Sequence, residues 1–411
     1  MEPKRPSRTT RGVAWLQNFS EPDRPAAELL VDSLQVADAT MIRVGLREKI
    51  ESLGSELPSG THAVLLPILS AEDIPGSNQP GHRHVAYTTF SPGDPISSTP
   101  GSEGAVGNLI RDFTGDRPGR EPSMWLHPAT DVYDLYRRRC RAFVLVTDYS
   151  GSGTQVQRYA DMLVRHPRIR SWRSFGWIKI VVVAYAVSAV AHRRIARTSS
   201  VDRLLVAAPA PSFETADWTK EEQKQVEHIC RRYVPRSKSS GTGLGFAGSA
   251  GLFVMHTGVP NNVPEILRSR RKGWYRFFDG RVFPSELVAE LGAYVPNRDL
   301  GRVVKQASQA RLSKAFDAGR FRRPIDLLLA VLALVGHSQQ TETLIAHRLN
   351  ISETEVQQYL NLLAGLGFVT LLPLRVTAAG RAELQFSKRM DRVATAHLEG
   401  STLPYYPQRL R

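Results

Sequence analysis

The residues best placed to do chemistry lie in FVLVTDYSGSGTQ, Phe143 to Gln155. An apolar run delivers Asp148, and Ser150, Gly151, Ser152, Gly153 and Thr154 follow before Gln155. Small residues let backbone N–H groups close on an anion, and a helix opening directly after them adds the partial positive charge of its N-terminus. A carboxylate beside such a cradle repels phosphate, so Asp148 suits a metal or a neutral hydroxyl pair. Ribose hydroxyls meet that description. The plainer reading is an ordinary β–α turn with a solvated aspartate at the strand end.

Other segments carry weaker signals. Asn261 and Asn262 follow an apolar run, and their amides could pair with a base or a phosphate or merely form turns. Arg268, Arg270, Arg271, Lys272 and Arg276 alternate with Trp274, Tyr275, Phe277 and Phe278. Cations track a phosphate backbone while aromatic rings stack on unpaired bases. Equally, such rings build a core and such cations a solvated face. The glycine spacings of Gly241–Gly251 precede a strand, whereas a dinucleotide fingerprint follows one, so a loop bordering the site is expected there. The histidines show no metal spacing, and Cys140 and Cys230 stand far apart, which excludes a zinc or disulfide framework. No Walker A or GxSxG segment is present. No metal ligand is assigned.

The elements that must position these residues follow from periodicity. Helices are predicted near 25–34 and 40–53, the latter with Ile42, Leu46, Ile50 and Leu53 on one face. Apolar runs predict strands at Ala63–Leu69, Ala142–Thr147, Ile178–Tyr185, Leu204–Ala208 and Leu252–Met255. Between them lie a helix over 154–166, closed by Pro167, and a helix opened by a Thr219–Glu222 capping box. Pro75–Pro122 reads as a long loop with one helical patch near Val106–Phe113. Alternating apolar strands and helices predict an α/β fold, a parallel sheet flanked by helices, which binds ligands at the carboxyl ends of its strands.

At 411 residues the chain has room for two or three domains, and its net charge of +15 points to a polyanionic partner, nucleic acid or a phosphorylated ligand. The basic, polar start has no signal-peptide core and the longest apolar run is too short to span a bilayer, so a soluble, cytoplasmic protein without a membrane partner is expected.

The strand–Asp–small-residue loop resembles the phosphoribosyltransferase family. The resemblance implies that Asp148 holds ribose hydroxyls and that Ser152, Gly153, Thr154 and Gln155 cradle the 5-phosphate of PRPP, with Mg²⁺ as cofactor if PRPP is the ligand. Thr147 stands where that family carries a second acid, which bears on turnover rather than on binding. WLQNF (Trp15–Phe19), VPNN (Val259–Asn262) and WYRFFDGR (Trp274–Arg281) extend the resemblance to phosphoribosyltransferase-like proteins of bacterial conflict systems. That narrower resemblance implies an antiphage effector, with a retron's reverse transcriptase and its DNA–RNA product among the partners.

Residues 324–390 resemble a winged helix-turn-helix: an apolar helix from Pro324, a short helix at Thr341–Leu349, and a third opened by Ser352 with Glu355. Val356, Tyr359, Leu360, Leu363 and Leu366 face its core, and Phe368–Val376 supplies the wing. The third helix exposes Glu353, Thr354, Gln357, Gln358 and Asn361 but no cation. The expected organisation is a disordered basic tail (1–12), the α/β domain (13–284), a basic helical connector (285–323), the winged helix (324–390) and a tail (391–411). Two other functions fit the same features: a nucleotide-sensing DNA-binding regulator, and a structural subunit of a nucleoprotein complex.

Overall fold

A computed structural model of the chain describes residues 4–69, 103–114, 123–234, 243–292, 294, 296, 299–317, 321, 324–337 and 341–389. The chain divides into two compact units, residues 1–297 with 346–353, and residues 298–345 with 354–411.

The first unit opens with helices α1 (Thr10–Leu16) and α2 (Arg24–Asp32), then strand β1 (Gln35–Ala37). The expected disordered tail is therefore corrected. Residues 4–12 hold a 3-10 turn at Pro6–Arg8, Thr9 caps α1, and Arg11 binds Glu286 and Asp279. Asp38 caps α3 (Ala39–Glu56) by accepting the Met41 N–H at 2.7 Å, and Ile42, Leu46, Ile50 and Leu53 are its buried stripe. Next come β2 (His62–Pro67), α4 (Glu103–Thr114), β3 (Trp125–Leu126), α5 (Val132–Arg137) and β4 (Cys140–Ser150). They lead into α6 (Thr154–Leu163), α7 (Pro167–Ser174), β5 (Lys179–Ser188), α8 (Ala189–Ala196), β6 (Arg203–Ala210) and α9 (Lys220–Arg232). The capping box at Thr219–Glu222 forms as expected. Pro167 does not merely end a helix: it opens α7 at the position where its missing N–H costs nothing. The unit ends with β7 (Phe253–Met255), α10 (Glu265–Arg268) and α11 (Ser285–Leu291). The expected helical patch is α4; the rest of Pro75–Pro122 lies largely outside the described residues.

Five parallel strands form the main sheet in the order β3-β2-β4-β5-β6. Along β4 alternate side chains serve opposite cores. Phe143 and Leu145 pack with Val156, Tyr159 and Leu163 of α6; Val144 and Val146 pack with Leu46 and Ile50 of α3. Burial on both faces explains why the strand is apolar at nearly every position.

The segment predicted as the last strand of this series does not join it. β7 pairs in parallel with β1, Val36 opposite Val254, in a separate two-stranded sheet. Three residues of β1 are too few to show a period, so the partner was not legible. Beside this pair lies an aromatic core: Trp15 meets Phe19 edge-on at 4.7 Å, and Phe19 meets Trp274 at 5.6 Å. Phe277 and Phe278 are buried in the same cluster, and the Trp15 indole donates to the Ile266 carbonyl at 3.2 Å.

The second unit contains α12 (Leu300–Gln306) and α13 (Ala310–Asp317), which fall within the expected connector. The winged-helix elements are α14 (Ile325–Val335), α15 (Glu342–Leu349), α16 (Glu353–Gly365), the antiparallel strands β8 (Val369–Leu371) and β9 (Leu374–Val376), and α17 (Ala378–Arg389). On α16, Val356, Leu360 and Leu363 are buried, as expected. Leu366 is exposed instead of core-facing, because α16 stops at Gly365 and the chain turns through Gly367 at φ +74. The tail 391–411 lies outside the described residues.

Candidate functional site

β4 runs three residues past its predicted end, so Asp148 and Ser150 lie within the strand. Alternation turns Asp148 to the α3 face, where it lines a cleft of about 250 Å³ with Ile42, Arg43, Leu46, Leu109, Asp112 and Thr257. Asp148 is 6% exposed, and its Oδ1 accepts the Tyr149 N–H at 2.7 Å. Thr147 points to the opposite face and only grazes the Tyr149 carbonyl at 3.5 Å.

The loop that follows is held open at its N–H side. The Gly151 carbonyl accepts the Ser188 hydroxyl at 2.5 Å, and Ser188 in turn accepts the Ala191 N–H as the cap of α8. Gly153 stands at the N-cap of α6 with φ +75 and has no side chain to cap it, and only the Ser152 hydroxyl reaches the first N–H, that of Thr154, at 3.4 Å. A Cβ at Gly153 would sit 3.1 Å from the Ala191 carbonyl oxygen, so geometry and space both call for glycine. Ser152 Oγ donates to Thr154 Oγ1 at 3.1 Å. Among the described residues the N–H groups of Ser152 and Gly153 find no acceptor. An uncapped helix start with free donors is the arrangement that receives an anion.

Three residues of this site were not singled out from sequence. Arg194, near the end of α8, donates to the Thr154 hydroxyl and brings a cation to the start of α6. Asp112 of α4 lines the Asp148 cleft, ion-paired to Arg43 at 2.6 Å. Tyr149 stacks on Phe253 of β7, ring centroids 5.1 Å apart, and burial pushes its hydroxyl pKa well above the usual phenol value. No sequence signal marks Arg194 or Asp112, because the contacts depend on tertiary placement.

The asparagines have separate fates. Asn262 is 2% exposed and its Nδ2 donates to the Tyr149 hydroxyl at 2.5 Å. A Cβ at Gly151 would come within 3.0 Å of the Asn262 amide, so Asn262 lies directly behind the loop. Its Oδ1 is buried without a hydrogen-bond partner among the described residues. The Asn261 side chain is exposed, while its carbonyl accepts the Phe246 N–H and the Arg268 guanidinium. Gly251 donates to the Asn262 carbonyl at 2.8 Å, so the described part of the glycine-rich segment borders the site as expected.

In the basic aromatic segment, Trp274, Phe277 and Phe278 belong to the core and offer no face to a base. Arg268 is half-buried, and desolvation lowers its pKa. Arg270 donates to the Asp279 carbonyl. Arg271, Lys272 and Arg276 remain exposed, with Arg271 over the Trp274 ring at 5.8 Å. Among the described residues no cluster of three His, Cys, Asp or Glu could hold a metal ion, and no helix is long and apolar enough to cross a membrane.

A parallel sheet whose central strand ends in a carboxylate and an uncapped glycine loop, followed in the chain by a winged helix, defines a phosphoribosyltransferase-like protein. The chain belongs to the PRTase-CE family, whose model matches residues 13–279. Residues 329–411 match the family described as wHTH-PRTase associated. No curated protein and no solved structure matches the chain.

Proposed function

We propose that the carboxyl end of β4 binds a 5-phosphoribosyl ligand, PRPP or a nucleotide. The phosphate sits on the donors of Ser152–Gln155 and the ribose hydroxyls sit on Asp148. The observation that carries this reading is the pairing of the Ser152 and Gly153 N–H groups, without acceptors among the described residues, with the Asp148 carboxylate just upstream, facing a cleft. Arg194 supplies countercharge to the phosphate.

Where the ligand is PRPP, Mg²⁺ fits as a hard cation bound by one protein carboxylate, Asp148, and by ligand oxygens and water. It would supply charge neutralisation for the departing pyrophosphate. The reaction class is then transfer or hydrolysis at ribose C1′, in which the chain's own residues position the sugar for attack by an acceptor or by water. Thr147 adds no charge there, so the chain offers one strand carboxylate for this work. We read the protein as an antiphage effector of the retron kind. Its winged helix and exposed cations would engage DNA, RNA or a reverse transcriptase carrying its DNA–RNA product.

Calorimetry on the full chain with a nucleoside 5′-monophosphate, the matching nucleoside and PRPP tests the site. The phosphorylated ligands should bind and the nucleoside should bind at least tenfold more weakly. Asp148→Asn should weaken the monophosphate by a similar factor, the size of one charge-assisted hydrogen bond. Equal affinity of wild type and variant, in proteins of equal melting temperature, defeats the proposal.

A further inference from the structure

The opposite end of the same strands carries a feature that neither the ligand site nor the winged helix uses. β4 and β5 are adjacent and parallel, with Ala142 opposite Lys179, so the turns that feed them lie side by side. The Arg141 guanidinium donates to the Trp177 carbonyl at 3.3 Å, and Tyr136 of α5 stacks on Trp172 of α7, centroids 6.2 Å apart and 26° between planes. Phe175 and Trp177 flank Gly176, a turn residue at φ +68, with ring centroids 5.5 Å apart.

Apart from Trp172, which is half-buried against the core, these rings are not core. Tyr133, Tyr136, Phe175 and Trp177 are between 46% and 67% exposed. Residues 131–141 and 165–179 together hold nine basic residues against two acidic ones, close to half of the chain's net +15. Among the described residues Arg137, Arg138, Arg165, Arg168 and Arg170 form no ion pair with a carboxylate. Arg137 lies over the Tyr133 ring at 5.8 Å.

We infer that this amino-terminal edge of the sheet is a binding surface for single-stranded nucleic acid. Uncompensated arginines supply the phosphate contacts, and exposed rings supply the faces on which unpaired bases stack. A duplex keeps its bases stacked on one another and leaves the rings without partners, so single strands bind more tightly than duplexes. An anionic membrane fits less well, because the cations are interleaved with the rings and insertion of the rings would draw arginines below the headgroups. The surface is separate from Arg268–Arg276, where the large rings are buried except Tyr275. The exposed face of α16 has no cation with which to do the same.

The test is fluorescence anisotropy of the full chain with a labelled 20-nucleotide single strand and its duplex, across a salt series. Tyr136→Ala/Trp177→Ala should weaken single-strand binding by about 30-fold, from the usual contribution of stacking at two rings, with the salt slope retained. Arg137→Glu/Arg170→Glu should flatten the salt slope, and Arg271→Glu/Lys272→Glu should leave ring-dependent binding in place. All substitutions are at exposed positions, and matched circular dichroism melts confirm the fold. Unchanged affinity in the ring variant overturns the inference. So does duplex binding as tight as single-strand binding, or ring-dependent binding to phosphatidylserine vesicles with none to nucleic acid.

Discussion

The hydrogen bond between Asn262 and Tyr149 ties the segment after β7 to the glycine loop that ends β4, and breaking it tests that role directly. Tyr149 Oη and Asn262 Nδ2 are 2.5 Å apart in a packed environment, and Gly151 lies against the same amide. Asn262→Ala leaves the buried Tyr149 hydroxyl without its partner and opens space behind Gly151. An orphaned buried polar group costs about 1–3 kcal/mol. For a unit of this size each kcal/mol lowers the melting temperature by roughly 2–4 °C. Tyr149→Phe should cost a comparable amount, since the asparagine amide then loses its acceptor while its Oδ1 is already unpartnered. The double variant Tyr149→Phe/Asn262→Ala should be less destabilised than the sum of the two, because neither group is left facing a missing partner. Denaturant melts of the four proteins give the coupling, and calorimetry with a nucleoside monophosphate reads the loop. A coupling below about 0.3 kcal/mol, within the usual error of additivity, would refute the role of this hydrogen bond, as would unchanged ligand affinity in both single variants.

Two further outcomes are expected. Gly153→Ala places a Cβ at φ +75 and 3.1 Å from the Ala191 carbonyl, so stability should fall by about 1–2 kcal/mol, with phosphate affinity falling alongside; a melt indistinguishable from wild type contradicts the loop geometry. Asp202 is pushed up in pKa by burial but pulled further down by hydrogen bonds from Arg173 and the Ile180 N–H, for a net value below the ordinary 3.8. It therefore contributes stability that is full above about pH 4, the ordinary carboxylate range, and is lost as pH falls through the lowered value. Asp202→Asn should be less stable than wild type at neutral pH and lose less on acidification; parallel acid-melting curves would contradict this.

Much of the fold was legible because its strands and helices carry long periods. β4, β5 and the α3 stripe announce themselves by burial on both faces or on one, and the Thr219–Glu222 box marks a helix start without reference to anything distant. β1 was not legible: Gln35–Ala37 is too short for a pattern and is a strand only because β7 lies beside it. The same reason hid the role of Asn262. Its sequence neighbours suggest a turn or a ligand contact, whereas its amide is fixed by Tyr149, far earlier in the chain. The Asp148 loop could be read because strand, carboxylate and glycines are contiguous. Arg194 and Asp112 reach the site from other helices and left no local trace.

The two ends of β4 have different chemistry for a reason built into a parallel sheet. At the carboxyl ends, strand termini converge with helix N-termini, whose partial positive charge and free N–H groups favour a compact anion bound deeply. At the amino ends the chain arrives from helix C-termini, where carbonyl groups carry partial negative charge and cations are stabilised. Arg137 in the last turn of α5 and Arg173 in the last turn of α7 occupy that position. An extended polyanion suits this edge better than the loop end, because it needs many separated cations rather than one cradle. β4 itself joins the two ends, and a second path runs from the glycine loop along α6 and, through Val164–His166, into α7 with its ring and arginines. A bound phosphate would act on the far edge through β4 and through α6, the latter about 15 Å long for ten residues. By linkage a nucleic acid bound at the edge would act on the loop by the same factor.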